Sequence, residues 1–141
     1  MAHIKEEWRD AINCSLADGA PCLVGTVSAD GQPQISPKGS ILVHDAGSLA
    51  FWERSKRTAL ANIQDNQRVV VYYRNPEKAE QLPQGACLRF YGTCRVVESG
   101  PEREAVMNKV VQRELDADKG RTGVAVIIDI ARITDLRGAH L

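Results

Sequence analysis

The spacing of hydrophobic positions changes several times along the chain, and each change predicts an element. Ile4, Trp8, Ala11, Ile12 and Leu16 recur three and four residues apart with charged residues between them, which predicts an amphipathic helix. Gly19 ends it and Pro21 follows. The pattern then becomes that of strands. Residues 22–28 (Cys-Leu-Val-Gly-Thr-Val-Ser) are rich in β-formers, and Ala29-Asp30-Gly31 is a hairpin turn signal. Residues 32–36 form the returning strand, interrupted by Pro33 and closed by Pro37. Short strands over 40–43 and 48–52 flank a turn at His44-Asp45-Ala46-Gly47. Four strands with such short connections predict a meander that curls into a barrel.

A second helix is predicted over 55–66, with Leu60 and Ile63 on one face and Ser55 as N-cap. Residues 68–73 (Arg-Val-Val-Val-Tyr-Tyr) are apolar at nearly every position, which predicts a strand buried on both faces, with one of Tyr72 and Tyr73 in the core. A polar loop over 75–85 contains two prolines. The long strand Cys87–Val97 carries Gly92 at its middle, where a bulge or bend is expected. Ser99-Gly-Pro-Glu102 fits a capping box, opening a third helix whose apolar face is Val106, Met107, Val110, Val111 and Leu115. A last strand covers 124–130, and 131–141 is a tail. No repeat or second domain interrupts this order. The early strands lack crossover helices, so the chain reads as one domain over 1–141, mainly β with inserted helices (α+β), rather than a doubly wound α/β fold.

Composition narrows the functional classes. The chain has 141 residues, 43% hydrophobic and 26% charged, which is ordinary for a globular domain able to bury a core without disulfides or metal. Lys and Arg number 18, as do Asp and Glu. The absence of a basic excess, with aromatics at only 5%, argues against nucleic acid or an anionic membrane as partner. No apolar run approaches bilayer length, and the charged first ten residues contain no signal core, so a cytoplasmic location is expected. Cys14, Cys22, Cys87 and Cys94 form no C-x-x-C pair, and His3, His44 and His140 are scattered, so no metal site is expected.

Two segments concentrate candidate chemistry. In Ser36-Pro37-Lys38-Gly39-Ser40, proline fixes φ and cannot donate to a sheet ladder, glycine permits close approach to the backbone, and lysine adds a charge between them. Such a strand presents backbone polar groups to a flat polar ligand; equally, it makes a sheet-edge kink with a solvated lysine. In Glu53-Arg54-Ser55-Lys56-Arg57-Thr58, three cations and two hydroxyls cluster where a helix begins. Cations at that end oppose the helix dipole unless an anion such as phosphate offsets them. The alternative is a solvated basic turn. No Walker loop or Gly-x-Gly-x-x-Gly fingerprint is present.

In order, these segments resemble the FMN-binding split barrel of the pyridoxamine 5'-phosphate oxidase-like superfamily. Gly25-Thr-Val-Ser-Ala-Asp-Gly-Gln-Pro33 is similar to its opening hairpin, and Ser36-Pro-Lys-Gly39 to the strand that runs along the isoalloxazine in a subset of members. Phe51-Trp52, the basic residues 54–58, Ala61-Asn62-Ile63 and Asn66-Gln-Arg-Val69 resemble the phosphate-binding helix start and the strand behind it. Leu88-Arg-Phe-Tyr-Gly92 and Arg95-Val96-Val97 resemble the next long strand. The resemblance spans about 23–130. It implies an antiparallel split β-barrel and a homodimer with FMN at the subunit interface. Arg57 and Thr58 would hold the phosphate, with Lys56 or Arg54 assisting, and Trp52, Glu53 and Ser55 would lie beside the cofactor. The backbone of Pro37, Lys38, Gly39 and Ser40 would face the ring, and Cys87 and Arg89 would approach from the partner subunit.

Asn66 is followed by Gln67 where the family has proline, and the tail 135–141 does not match the C-terminal Arg-Leu-x-x-x-Pro-type segment of the vitamin oxidases. Pyridoxal-phosphate formation is therefore not expected. The leading expectation is a small FMN-dependent oxidoreductase acting on a small-molecule substrate or electron donor. The alternatives are a flavin-binding electron carrier without a substrate pocket, or the same fold holding haem or a deazaflavin.

Overall fold

The computed structural model describes residues 2–141. Helix α1 (Glu6–Asn13) precedes strands β1 (Cys22–Val27), β2 (Pro33–Lys38), β3 (Leu42–Asp45) and β4 (Ser48–Glu53). Helix α2 (Thr58–Asp65) leads into β5 (Arg68–Arg74), a single 3-10 turn (Pro76–Lys78) and β6 (Cys87–Val97). Helices α3 (Pro101–Met107) and α4 (Gln112–Asp116) come before β7 (Val124–Thr134). All seven strands form one antiparallel sheet in the order β2-β1-β5-β6-β7-β4-β3, an antiparallel split barrel with inserted helices.

The hairpins β1–β2 and β3–β4 form as predicted, but they are not consecutive parts of one meander. β2 and β3 are the two edges of the sheet, and β5, β6 and β7 lie between the hairpins. The strand residues alone do not distinguish a local return from a long-range insertion. Gly92 does mark an irregularity, where the β6–β7 register shifts between Tyr91 and Gly92. A Cβ there would stand 2.5 Å from the Asp129 carbonyl oxygen, so glycine is required for the close approach.

Two apolar clusters lie on opposite faces of β4 and β7. The larger holds Trp8 and Ile12 of α1 against Val24, Phe51, Val71, Phe90, Val126 and Ile128. The smaller packs Val106 and Val110 on Leu42, Ala50, Trp52, Ala125 and Ile127. β4 is accordingly buried at every residue. β5, expected to be buried on both faces, instead alternates: Val69, Val71 and Tyr73 are buried, while Val70 and Tyr72 on its outer side are only half-buried. Tyr73 is the buried tyrosine of the pair, and its hydroxyl donates to the Ala11 carbonyl at 3.1 Å. Asn62 ties α2 to β1 by donating to Thr26 Oγ1 at 3.0 Å.

Both helix starts differ in detail from the sequence expectation. α2 begins at Thr58 rather than Ser55, and Arg57 stands at its N-cap with no side-chain cap. Ser55 instead donates to Glu53 Oε1 at 2.9 Å. At α3 the cap is Gly100, and Glu102 turns away to a bidentate pair with Arg95. The charged guanidinium outcompetes the backbone N–H that a capping box would use.

Candidate functional site

The end of β2 and the end of β4 meet, although the strands are not hydrogen-bonded neighbours. Pro37, Lys38, Gly39 and Ser40 line one side of a 160 Å³ cleft; Trp52, Glu53, Arg54 and Ser55 line the other, with Glu114 of α4 between them. The first segment singled out in the sequence and the opening of the second, Glu53, Arg54 and Ser55, thus meet in this cleft, whereas Lys56, Arg57 and Thr58 do not line it. Lys38 Nζ donates to Glu53 Oε2 at 2.8 Å, with Glu53 only 2% exposed. The ammonium also lies 5.5 Å from the centre of the Phe51 ring. Ser40 Oγ accepts the Trp52 N–H at 2.9 Å and donates to the Trp52 carbonyl at 3.2 Å, which locks the two walls together.

Trp52 is held from behind. Its indole N–H donates to Asp118 Oδ2 at 2.8 Å, and the Arg103 guanidinium covers its face at 4.7 Å. Burial would raise the Asp118 carboxyl, but donors from Trp52, Gly123 and Thr122 outweigh it and bring the carboxyl down to about 2. Trp52 therefore enters the cleft as a fixed wall.

The cations of the basic turn are placed differently from one another. Arg54 Nε lies 3.4 Å from Glu114 Oε2. Lys56 adopts the left-handed backbone region (φ 51°), and its side chain lines a separate 420 Å³ pocket with Leu60, Gln64 and Arg103. Lys56, Arg57 and Thr58 are exposed, and among the described residues neither Lys56 nor Arg57 forms an ion pair. With no side chain capping α2, its first-turn N–H groups have no intrahelical acceptor. The donor set of a cationic turn, a hydroxyl and unpaired helix N–H groups fits a phosphate. The 160 Å³ cleft, by contrast, is smaller than the several hundred Å³ usual for a bound cofactor.

Ser36 lies on β2 outside the cleft and accepts from Gln34 at 3.0 Å. Cys87 and Arg89 are not brought to the cleft within one chain. Cys87 is fully buried, while Arg89 donates to the Asp135 and Leu136 carbonyls at 3.0 and 2.9 Å and lies over Tyr72. The register does, however, align Pro37, Leu23, Tyr72 and Arg89 in one row across β2, β1, β5 and β6. At about 4.8 Å per strand, Arg89 stands roughly 14 Å from Pro37.

The sequence reading missed a 670 Å³ trough on this outer face, floored by Gly25, Val27, Ile35, Val70 and Tyr91 and edged by Arg68 and Arg132. Arg132 lies 4.0 Å from the centre of the Tyr91 ring, and Ile35 is 71% exposed. The available signal was the apolar residues at alternate positions of β1 and β5, on the side opposite the core. Glu114 and Asp118 were missed because they reach the site only through the α3–α4 excursion. Among the described residues no cluster of His, Cys, Asp or Glu could hold a metal, and no helix is long and apolar enough to cross a membrane.

The fold and this site define a class, and the sequence pattern of the pyridoxamine 5'-phosphate oxidase family matches residues 4–135. The chain belongs to that family. Among solved structures, it is similar to HupZ of Group A Streptococcus, with 28% identity, 98% of each chain covered and a TM-score of 0.75. It also shares its fold with an FMN-binding protein of Syntrophomonas wolfei (12% identity, 92% of this chain and 86% of that one covered, TM-score 0.67). An F420 reductase is a further fold relative (20% identity, 86% and 94% covered, TM-score 0.60). A search of curated proteins returned no match.

Proposed function

We propose that this chain is an FMN-binding protein that works as a homodimeric flavin oxidoreductase on a small-molecule substrate or electron donor. The observation that carries this reading is the start of α2. There Lys56 and Arg57 are exposed without an acidic partner among the described residues, and the first-turn N–H groups are uncapped. A cationic helix start is unfavourable by itself and becomes favourable once a phosphate lies on it. Arg57 and Thr58 hold that phosphate. Family membership and an FMN-binding fold relative support the choice of flavin.

When bound, the flavin supplies the electron transfer. The protein's residues bind and orient. Lys38 and Glu53 neutralise each other, so the backbone at 37–40 meets the ring without a net charge from that pair. Trp52, fixed by Asp118 and Arg103, excludes water from the inner wall. The outer face of β1, β2, β5 and β6 is the surface a second copy would cover, bringing its Arg89 row toward the first copy's Pro37. The visible spectrum of the purified protein, followed by titration with FMN, tests the reading. Flavin bands near one FMN per chain support it; a haem or deazaflavin spectrum, or no binding of FMN, overturns it.

A further inference from the structure

The cleft contains one side chain that the phosphate-holding turn does not require. Glu114 belongs to α4, a five-residue helix with no buried residue. Its Oε1 lies 2.5 Å from where a Cβ on Gly39 would stand, so the carboxylate is laid against the bare backbone of residue 39. Its other oxygen faces Arg54 Nε at 3.4 Å. The Glu114 side chain is 19% exposed and that of Arg54 46%. Glu114 thus covers the strand on which a flat ligand would lie and engages a cation of the basic turn.

We propose that Glu114 is an internal stand-in for the ligand's anion, displaced from Arg54 and from the Gly39 backbone when a phosphate-bearing flavin binds. This rests on the flavin reading above. The space over residue 39 is filled by Glu114 Oε1 and by the Leu16 methyls, 2.5, 3.0 and 3.2 Å from where a Cβ would stand, so a ring can lie on that backbone only where Glu114 has moved away. Displacement needs only the Glu114 side chain to move: a partly exposed ion pair changes an equilibrium only a few-fold, and Leu115 keeps α4 packed on the smaller apolar cluster. With Glu114 gone, Arg54 becomes available to the incoming phosphate. Glu114 therefore sets the affinity for the cofactor and the accessibility of the cleft.

Titrating wild type and Glu114→Ala with FMN and riboflavin tests this, alongside acrylamide quenching of tryptophan fluorescence in the ligand-free proteins. Glu114→Ala should tighten FMN by about two- to fivefold. Riboflavin should gain less, since it has no phosphate to use the freed Arg54. Both tryptophans are buried, Trp8 at 2% and Trp52 at 3%, but only Trp52 lines the cleft beside Glu114, so quenching should increase through Trp52 when Glu114 is removed. FMN binding by wild type, with equal or weaker binding by Glu114→Ala, overturns the stand-in and leaves the flavin reading intact. No FMN binding by either protein overturns both. Unchanged quenching overturns the covering role of Glu114.

Discussion

Lys38 on β2 and Glu53 on β4 form an almost dry ion pair, 2.8 Å from Nζ to Oε2, between strands that share no ladder. The pair joins the two walls of the cleft. Removing one partner leaves the other charged in a site with little water, which costs more than the intact pair contributes. Glu53→Gln should destabilise the fold by about 3 kcal/mol in chemical denaturation. Lys38→Met combined with Glu53→Leu should recover much of that loss. A Glu53→Gln loss no larger than that of an exposed pair, about 0.5 kcal/mol, would show that the pair is solvated.

Asp118 gives the fold a specific acid sensitivity. Its folded carboxyl titrates at about 2, below its ordinary 3.8, so the charged form is favoured in the folded state. The stabilisation is present above pH 4 and is lost as pH falls toward 2. Asp118→Asn should lower stability at pH 7 by about 1.5–3 kcal/mol, the range for hydrogen bonds to a charged group, and flatten the stability profile between about pH 4 and 2. Denaturation midpoints across that window check it. A variant as steep as wild type would move the acid response to other carboxylates.

The thiols differ sharply in reactivity. Burial pushes Cys22 and Cys94 up to about 12; a hydrogen bond with Ser15 partly offsets this at Cys22, and the Asp129 charge adds to it at Cys94. Cys87 is also buried, and Cys14 is exposed. A thiol reagent at pH 8 should therefore modify one cysteine per native chain rapidly, and none in Cys14→Ser. Rapid modification of a second thiol would contradict the packing around β1 and β6.

Much of the fold was legible in the residues, for identifiable reasons. β6 was read to its ends because its apolar run is bounded by a polar loop and Ser99, and Gly92 marked its irregularity. Both segments that contribute to the cleft were also visible, because Pro37, Gly39 and the basic run that opens at Arg54 break local preference. Sheet order was not legible: nothing in β2 or β3 records that three later strands separate them. The double burial assigned to β5 belongs to β4 and β7, because which face a helix covers depends on where α3 lands. The roles of Glu114, Asp118 and Arg103 rest on contacts of long sequence separation, which no local pattern encodes.

The outer trough carries the prediction of a dimer. Val70 and Ile35 sit at its floor opposite Gly25, where a Cβ would stand 2.8 Å from Val70 Cγ1. Val70→Glu or Ile35→Asp should leave the fold intact and shift the light-scattering mass from two chains to one, because either places a charge on the apolar surface that the proposed dimer would cover. A wild-type mass of one chain with FMN bound would refute the dimer.

The central claim is that phosphate is held at the start of α2, and Arg57→Ala tests it most directly. Arg57 stands at the N-cap, exposed and without an ion-pair partner among the described residues. Its removal should weaken FMN by about 1.5–3 kcal/mol, roughly ten- to a hundredfold. Riboflavin affinity should hardly change, and the ligand-free protein should not be destabilised, since a cation opposed to the helix dipole is gone. Both flavins titrated against both proteins give the answer. An FMN-selective loss is the predicted result; equal FMN affinity in wild type and Arg57→Ala contradicts the account.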